Sequence, residues 1–491
     1  SGNPNYTIAI IGDGALTGGL AFEGLNNSNS KDLNLIVILN DNKMSISKSV
    51  GGIAKSLNKF RSTTFYTTGK KDVRYILQKI PFFGRKLHKF VSYIKNGIKH
   101  LFIPTSNFFE QFGYTYLGPI NGNDVNSVAD FLERAKNVRK PVLLHIITKK
   151  GKGYLPAEKN PNKFHGISPF NKETGEVLSK SSGSYSSKFG EVLVNEAEKN
   201  DKIVAITAAM CDGVGLNEFS KKFKYRFFDV TIAEAYGTTF ASGLAVQGFI
   251  PFFACYSTFL QRAYDEIVHD VALQNLHVVF AIDRAGIVGQ DGETHQGLLD
   301  ESYLVSIPNF TLIAPKDGKE FEYMIKFCIK HNGPIAIRYP RGNYKYELIE
   351  NEIIKPIELG KAEIIKEGTD VTLIGYGKTV DTLIQVANML KKKKISAEVI
   401  NLRFLKPIDK ETICSSVYKT KCVVTLEDAY LKGGVASEVQ NLLFNQKDIK
   451  SLFLGYPDEF IRHGTQAEIE ELYGLDKKSI TKKIFKLLDK K

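Results

Sequence analysis

Residues 7–19 read TIAIIGDGALTGG, a short apolar run followed directly by a glycine-rich turn. The run at residues 7–11 has the length and composition of a buried strand, and the segment after the turn has the character of a helix. Glycines let the backbone approach a ligand closely, and amides at a helix N-terminus favour an anion. The stretch reads G-D-G rather than GxGxxG, so it predicts an α/β fold with an anion site other than a dinucleotide fingerprint.

Apolar runs of the same length recur along the whole chain, with helical stretches between them. They lie at residues 35–39, 141–148, 202–206, 278–283, 371–377, 397–402 and 422–428. Continuous apolar runs of this kind are typical of parallel sheets covered on both faces. We therefore predict three doubly wound α/β domains with mostly parallel sheets, the first incomplete at its N-terminus.

Breaks in this pattern give the predicted domain boundaries. The first domain covers residues 1–170, with the basic, aromatic stretch 48–105 as an inserted helical segment. Residues 171–183 form a linker, because the surrounding sequence is rich in Pro, Gly, Lys and Ser. The second domain covers residues 184–350, and the third covers 351–491.

The bulk composition excludes several classes of protein. The 491 residues are too many for one hydrophobic core. Five scattered cysteines without a CxxC indicate a reducing cytoplasmic location and disfavour a disulfide framework or a zinc site. The net charge of +13 indicates either an anionic partner or a lysine-rich proteome. No basic stripe is interleaved with aromatic residues, and no apolar run approaches the ~20 residues of a membrane span, so we expect neither nucleic-acid binding nor membrane insertion.

A polar cluster, residues 40–42 (Asn-Asp-Asn), follows the second predicted strand. Parallel strands deliver the residues after them to one edge of a sheet, so Asp13 and Asn42 are expected to meet there. Carboxylate and amide oxygens suit Mg²⁺ bound together with phosphate oxygens. The alternative is a tight strand-to-helix turn beside an unrelated polar loop.

Glu234 ends an apolar run and enters a Gly/Ala-rich segment in the second domain. A Glu at this place is either an exposed charge at a helix N-terminus or a residue with a chemical task. Phe259, within YSTFLQR at residues 256–262, is either a core residue or a stacking platform for a flat heterocycle.

The stretch DRAGIVGQDGETHQG, residues 283–297, concentrates charged residues on one glycine-rich loop. It contains Arg284, Asp291 and His295, and the later segment IRYPRG, residues 337–342, supplies Arg341. Arginine pairs with phosphate and histidine moves protons near neutral pH, so the loop predicts a small anionic substrate. The alternative for a lone histidine is a surface or core residue with satisfied hydrogen bonds.

Taken together, these motifs resemble the 1-deoxy-D-xylulose-5-phosphate synthases, a family of transketolase-like thiamine-diphosphate enzymes, over essentially the whole chain. The resemblance implies three domains of the transketolase type: diphosphate-binding, pyrimidine-binding and C-terminal. It implies condensation of pyruvate with D-glyceraldehyde 3-phosphate to 1-deoxy-D-xylulose 5-phosphate and CO₂, with thiamine diphosphate and Mg²⁺ as cofactors, in a homodimer. This reaction opens the methylerythritol phosphate route to isoprenoids and also feeds thiamine and pyridoxal synthesis.

The resemblance also implies roles in cofactor binding for matching residues. The implied metal ligands are the side chains of Asp13 and Asn42 and the backbone carbonyl of Met44. The implied contacts to the organic cofactor are Gly14, Ala15, Asn42, Tyr154, Glu234 and Phe259. By this likeness Glu234 binds N1′ of the aminopyrimidine and favours the imino tautomer that removes the thiazolium C2 proton.

The substrate residues implied by the resemblance lie mainly on the charged loop and its neighbours. Arg284 and Arg341 would hold the phosphate, and Tyr256, Asp291, His295 and His165 would line the pocket. Among these, Asp291 and His295 join Glu234 as the expected catalytic residues.

The chain departs from the family pattern in two ways. Residues 235–237 are Ala-Tyr-Gly where the family commonly has Gln-His-Ala, so the role of that histidine cannot be carried over. The G-D-G motif lies close to the first residue, and the Gly-His motifs that precede it in the family are missing. We therefore expect an N-terminally truncated piece of a longer enzyme, and an inactive cofactor-binding form is one alternative. Another thiamine-dependent enzyme, a transketolase or a 2-oxo acid decarboxylase, is the other.

Overall fold

The computed structural model describes residues 5–28, 33–42, 106–167, 169–178, 183–350, 356–446 and 448–489. The predicted insertion at residues 48–105 and the expected metal ligand Met44 lie outside these ranges. The chain forms two compact units. The first comprises residues 1–179 with Thr231–Ala233, and the second comprises residues 180–230 with 234–491.

The first unit is built on a parallel four-stranded sheet in the order β1-β2-β4-β3. Its elements are β1 (Thr7–Gly12), α1 (Gly19–Asn27), β2 (Leu35–Asp41), α2 (Ser106–Gln111), β3 (Thr115–Asn121), α3 (Val125–Lys136), β4 (Val142–Ile147) and α4 (Leu155–Lys159). The central strands β2 and β4 are largely buried, as their apolar sequences predict. Strand β1 is less covered, since Ile8 and Ile10 are exposed.

The second unit begins with a seven-stranded sheet in the order β14-β9-β10-β8-β7-β5-β6, in which β14 spans Phe404–Lys406. Its elements before the second sheet are α5 (Tyr185–Ala197), β5 (Ile203–Thr207), α6 (Asn217–Lys222), β6 (Phe227–Asp229), α7 (Glu234–Val246), β7 (Ile250–Tyr256), α8 (Ser257–Leu260), α9 (Tyr264–Glu266), a π-helix (Ile267–Ala272), β8 (Val279–Asp283), α10 (Asp300–Ser306), β9 (Thr311–Ile313), α11 (Gly318–Lys330) and β10 (Ile335–Arg338). Every strand pair in this sheet is parallel except β14 with β9.

The same unit contains a five-stranded sheet in the order β11-β13-β12-β15-β16, parallel except for β11. The remaining elements are β11 (Glu363–Lys366), β12 (Val371–Gly375), α12 (Thr379–Lys391), β13 (Ala397–Asn401), β14 (Phe404–Lys406), α13 (Lys410–Thr420), β15 (Cys422–Tyr430), α14 (Val435–Leu443), β16 (Lys450–Tyr456), α15 (Gln466–Leu472) and α16 (Lys477–Leu487). Strand β14 follows β13 in the chain but joins the seven-stranded sheet. One apolar core accordingly contains residues of both sheets, among them Phe280, Ile374 and Val423.

Short polar side chains fix where several helices begin. Asp124, Ser184, Asp317, Asp409 and Asp476 each accept backbone amide hydrogens from the first turn of the helix that follows. Such caps satisfy amides that have no partner within the helix, each contributing about 0.5–2 kcal/mol.

The α/β class and the mostly parallel sheets are confirmed. All eight quoted apolar runs form strands, with ends that differ from the prediction by two residues or fewer. Strands that the apolar pattern did not reveal include β3, whose sequence TYLGPIN contains Gly and Pro, and the three-residue edge strand β14. Their pairing depends on the neighbouring strand rather than on a continuous apolar run.

Candidate functional site

The carboxyl edge of the first sheet brings two predicted ligands to neighbouring strand ends. Strands β1 and β2 pair in parallel with Gly12 opposite Asn40, and the Asp13 amide donates to the Asn40 carbonyl at 3.2 Å. Asp13 is buried, and Asn42 directly follows β2. The described residues contain no group of three or more His, Cys, Asp or Glu side chains placed for a metal. A carboxylate and an amide nevertheless fit Mg²⁺, which takes its remaining ligands from backbone, water or phosphate oxygens.

The turn after β1 is held closed by a threonine. A short 3₁₀ turn spans Ala15–Thr17, and the Thr17 hydroxyl donates to the Gly14 carbonyl at 2.7 Å. The same hydroxyl lies 2.8 Å from that of Thr231, which belongs to this unit. Helix α1 then starts at Gly19. Gly14 and Ala15 carry no side chain larger than a methyl group, so little stands between their backbone and an anion at the strand end.

Behind this edge lies a buried polar chain that the sequence analysis missed. The Tyr116 hydroxyl is 2.7 Å from His145 Nδ1, and His145 Nε2 is 3.0 Å from Asp41 Oδ2. The three side chains are buried, and Asp41 is the residue before Asn42. His145 sits inside the apolar run 141–148, so its polarity within that strand was the available signal.

Lys150, His165 and Tyr154 follow the last strand of this unit. Burial lowers the pKa of Lys150, and the negative charge of Asp13 offsets part of that shift. Desolvation lowers the pKa of His165, and the positive charge of Lys150 adds to the effect. Asp13, Lys150 and His165 thus share one electrostatic neighbourhood. Tyr154 packs edge-on against Phe164 at 5.5 Å, and its hydroxyl donates to the Lys172 carbonyl at 2.7 Å.

In the second unit, Glu234 is the first residue of α7 and is only 3% exposed. The Nη1 atom of Arg262 lies 3.2 Å from each of its carboxylate oxygens. The alternative that Glu234 is an exposed charge at a helix N-terminus is therefore wrong. Arg262 is the last residue of the segment YSTFLQR, and its pairing with Glu234 was not predicted from the sequence.

Arg262 also connects Glu234 to the predicted stacking residue. Its guanidinium carbon lies 5.3 Å from the Phe259 ring centre. Phe259 stacks on Tyr256 with centroids 5.8 Å apart and meets His295 edge-on at 5.3 Å. Phe259 is half-buried and also packs against the apolar core, so core packing and a stacking role are compatible at this position.

Arg284 is held firmly at the start of the charged loop. Its Nη1 donates to the Gly213 carbonyl at 2.6 Å and pairs with Asp283 Oδ1 at 2.9 Å. Its guanidinium carbon lies 4.0 Å from the Tyr256 ring centre. Burial raises the pKa of Asp283, while the adjacent Arg284 charge opposes the rise. The charge of Arg284 is thus fixed beside an aromatic face.

Arg341 approaches the same loop from β10. Its Nη1 lies 2.7 Å from Asp291 Oδ2, and both side chains are partly exposed. Burial is the main cause that raises the pKa of Tyr256 to about 12, while the charges of Arg284 and Arg341 lower it. The Tyr256 hydroxyl is therefore protonated at neutral pH and lies within the fields of both arginines.

The predicted residues of the second unit are thus joined through contacts or shared fields: Glu234, Tyr256, Phe259, Arg284, Asp291, His295 and Arg341. The predicted site residues of the first unit lie in two places. Asp13, Gly14, Ala15 and Asn42 lie at the carboxyl edge of the sheet, and Tyr154 and His165 lie in the segment after β4. The assigned roles stay predictions.

Three family models match consecutive parts of the chain. Residues 1–148 match 1-deoxy-D-xylulose-5-phosphate synthase, residues 182–347 match the pyrimidine binding domain of transketolase, and residues 360–480 match the transketolase C-terminal domain.

Three curated relatives that this chain matches carry the same name. The 1-deoxy-D-xylulose-5-phosphate synthase of Desulforudis audaxviator is 46% identical over 97% of this chain and 75% of the relative. The enzyme of that name from Caldanaerobacter subterraneus subsp. tengcongensis is 48% identical over 98% of the chain and 77% of the relative. That from Clostridium acetobutylicum is 49% identical over the same shares.

Solved structures show the same architecture. A split-gene transketolase, described as an inactive β₄ tetramer, matches with a TM-score of 0.57 and 29% identity over 63% of this chain and 99% of that one. The transketolase of Campylobacter jejuni matches with a TM-score of 0.52 over 98% of this chain and 77% of that one. At 19% identity, this second likeness shows the fold alone. Within the described ranges, no helix combines the length and apolar character needed to cross a membrane.

Proposed function

Because the chain belongs to the 1-deoxy-D-xylulose-5-phosphate synthase family, we propose that it condenses pyruvate with D-glyceraldehyde 3-phosphate to give 1-deoxy-D-xylulose 5-phosphate and CO₂. It is an α/β transferase of the transketolase type and uses thiamine diphosphate. The reaction opens the methylerythritol phosphate route to isoprenoids, and its product also feeds thiamine and pyridoxal synthesis.

One observation carries the proposal. Arg262 contacts both Glu234 and Phe259, and Phe259 contacts both Tyr256 and His295. The carboxylate and ring assigned to the cofactor pyrimidine thus adjoin the side chains assigned to the substrate. A transferase that works on a bound heterocycle needs this adjacency, because chemistry at the ring must reach the acceptor without a second binding event.

The donor set at the edge of the first sheet fits the cofactor's charged end. Asp13 and Asn42 would hold Mg²⁺ together with the Met44 carbonyl, and the backbone at Gly14 and Ala15 would contact the diphosphate. When bound, thiamine diphosphate supplies the carbanion chemistry that releases CO₂ from pyruvate. The finer assignment of Mg²⁺ rests on the chemistry of these donors.

The protein's own part is to move one proton and to hold charge. Glu234 would bind N1′ of the pyrimidine and hold the tautomer that the reaction needs, with Arg262 keeping its carboxylate in place. Arg284 and Arg341 would bind the phosphate of the triose, and Asp291 keeps Arg341 oriented before the substrate arrives. His295, on the same loop, is proposed to exchange a proton with the acceptor. Tyr154 and His165 are proposed to border the cofactor and substrate.

Three further expectations belong with this function. The domain division at residues 1–170, 171–183, 184–350 and 351–491 remains our proposal, as does a cytoplasmic location. A homodimer is supported by exposed apolar side chains on α7 and on the segment packed against it: Tyr236, Val246, Tyr264 and Leu273. Large apolar side chains exposed on neighbouring elements are available for such an interface.

The discriminating experiment measures CO₂ and product together. Release of CO₂ and formation of 1-deoxy-D-xylulose 5-phosphate only with pyruvate plus glyceraldehyde 3-phosphate would support the proposal. Transfer from a ketose phosphate without CO₂ would instead indicate a transketolase. Calorimetric binding of thiamine diphosphate, with and without Mg²⁺, in the absence of any turnover would indicate the inactive cofactor-binding form.

A further inference from the structure

The charged loop is closed at its base by two backbone hydrogen bonds. The Gly286 amide donates to the Gly297 carbonyl at 2.7 Å, and the Gly297 amide donates to the Gly286 carbonyl at 2.8 Å. We call residues 286–297 the substrate loop. It contains Asp291 and His295, and its shape therefore determines where these two side chains stand.

The substrate loop follows β8 of the seven-stranded sheet, but its two ends pack into the apolar core of the five-stranded sheet. Ile287 is fully buried and Leu298 is 1% exposed, and both belong to the apolar cluster that contains Val371, Leu373 and Val424. The two ends of the loop are thus built into the C-terminal part of the chain.

Side chains from that C-terminal part bind both backbone polar groups of Ile287. Its amide donates to Asp428 Oδ1 at 3.2 Å, and its carbonyl accepts from Gln466 Nε2 at 2.7 Å. The fit at Asp428 is close, since a Cβ at Gly286 would lie 1.7 Å from Asp428 Oδ2. Gly286 also has a φ of +77°, which glycine adopts readily.

Gln466 also reaches the segment that carries the second arginine. Its Nε2 lies 3.5 Å from the Arg341 carbonyl, and the side chain of Arg341 bonds Asp291 of the loop. The contact is reciprocal, because Gln296 of the loop donates to the Ile461 and Arg462 carbonyls at 3.4 Å each. One amide group therefore spans the substrate loop and the backbone of Arg341.

We propose that Gln466 is a positioning residue, which sets the spacing between the substrate loop and Arg341 and so tunes binding of the triose phosphate. The inference rests on the proposed function for the identity of the ligand. It gives the C-terminal part of the chain a share in substrate affinity, although that part supplies none of the residues assigned to the reaction. Gln466 itself touches no reacting group; it acts by holding two backbone carbonyls.

The test replaces the amide donor while keeping the volume of the side chain. Gln466→Met and Gln466→Glu both remove the donated hydrogen bonds, and either one serves if the other fails to fold. Gln446→Met, at an exposed position after α14, is the matched control. The affinity for glyceraldehyde 3-phosphate is measured by calorimetry, the KM for each substrate by initial rates, and the folded state by thermal unfolding.

We expect the affinity for glyceraldehyde 3-phosphate to fall by about ten- to a hundredfold, because displacing a binding group by about 1 Å can have an effect of this size. The KM for pyruvate should stay close to that of the unaltered chain and of Gln446→Met, while loss of the donor to the buried Ile287 carbonyl lowers the unfolding temperature somewhat. A purely structural role would instead change both KM values alike or lower the unfolding temperature without weakening triose-phosphate binding, and either result would overturn the inference.

The binding and turnover measurements separate this inference from the proposed activity. Weaker triose-phosphate binding by both Gln466 variants, in a chain that releases no CO₂, supports the positioning role and counts against the activity. Unchanged binding in a chain that turns over normally overturns the positioning role and leaves the activity standing. If the unaltered chain does not bind the triose phosphate at all, the positioning role is likewise overturned.

Discussion

Arg262 places its Nη1 atom 3.2 Å from both carboxylate oxygens of Glu234. The carboxylate is almost fully buried, whereas about half of the arginine side chain is exposed. A buried charge is costly unless it is paired, so this contact allows Glu234 to stay at the start of α7 without access to bulk water. The same guanidinium lies over the Phe259 ring, so Arg262 contacts both the carboxylate and the ring.

Replacing Glu234 with Gln should nearly abolish turnover without unfolding the protein. The change keeps the shape of the side chain but removes the group proposed to hold the pyrimidine tautomer. We expect the rate of CO₂ release to fall by about 10²–10⁴-fold, the usual range for loss of acid–base assistance. Glu218→Gln, which alters an exposed carboxylate on α6, should leave the rate unchanged. Equal rates for the two variants would refute the assignment.

The local parts of this molecule were predictable from sequence, because they depend on contiguous patterns. The eight apolar runs identified strands, and the loops after them identified Asp13, Asn42 and the Arg284 segment. The G-D-G turn needed no distant partner to be recognised, since its glycines and its place after a strand are local properties.

Pairings between distant segments were not predictable in the same way. Arg262 with Glu234, Asp41 with His145, and Gln466 with Ile287 join residues separated by 28, 104 and 179 positions. No period or motif in a single sequence encodes such a pair, because it arises only when distant segments meet in the folded chain. Strand β14 was not predicted either, because three residues at a sheet edge are too few to show a periodic pattern.

Arg341→Lys should weaken binding of the triose phosphate more than it affects pyruvate. Lysine keeps the charge but cannot form the planar, two-pronged contact that arginine can make with phosphate. We expect the KM for glyceraldehyde 3-phosphate to rise by about tenfold or more, corresponding to roughly 1.4 kcal/mol. Arg139→Lys, at an exposed position in the first unit, is the control. A rise confined to the KM for pyruvate would contradict the phosphate-binding role.

Asp13→Asn should uncouple thiamine-diphosphate binding from Mg²⁺. The amide keeps an oxygen donor but loses the negative charge that strengthens binding of a hard divalent ion. We expect affinity for the cofactor in the presence of Mg²⁺ to fall by at least about tenfold. Even residues that only hydrogen-bond to a metal ligand reduce metal affinity by about tenfold or more when they are replaced. Removing Mg²⁺ from the unaltered chain with a chelator should have a similar effect. The control is Asp130→Asn on the exposed face of α3, and identical titrations for both variants would exclude a metal role for Asp13.

His277→Gln should reduce the loss of stability on mild acidification. Burial lowers the pKa of His277. The pKa of His331 is also lowered, mainly by burial and to a smaller extent by the nearby charge of His277. A depressed pKa means that the unfolded chain binds protons more readily, so stability is complete above about pH 6.5 and falls as pH decreases below it. Gln retains a donor for the Cys328 carbonyl, which His277 Nε2 contacts at 2.8 Å, but cannot titrate.

The measurement for His277 is thermal unfolding over the range from about pH 7.5 to about pH 5.5, where histidine titrates. His269→Gln provides a control of opposite sign, because the hydrogen bond to Asp270 raises the pKa of His269. That histidine adds stability at low pH, so its loss should steepen the decline with falling pH rather than flatten it. The same slope in both variants would contradict the prediction.

Asp300→Ala should destabilise the second unit strongly. The Asp300 carboxylate accepts from Arg338 Nε at 2.9 Å and from Nη2 at 3.2 Å, and both side chains are almost fully buried. Removing the carboxylate leaves a buried guanidinium without its main counter-charge, which costs about 3–5 kcal/mol. Asp458→Ala removes the partner of Lys432 in a pair whose side chains are each more than four-fifths exposed, so solvent screens that charge and stability should not change measurably. Urea unfolding of the two variants gives the comparison, and similar midpoints would show that the buried pair contributes no more than an exposed one.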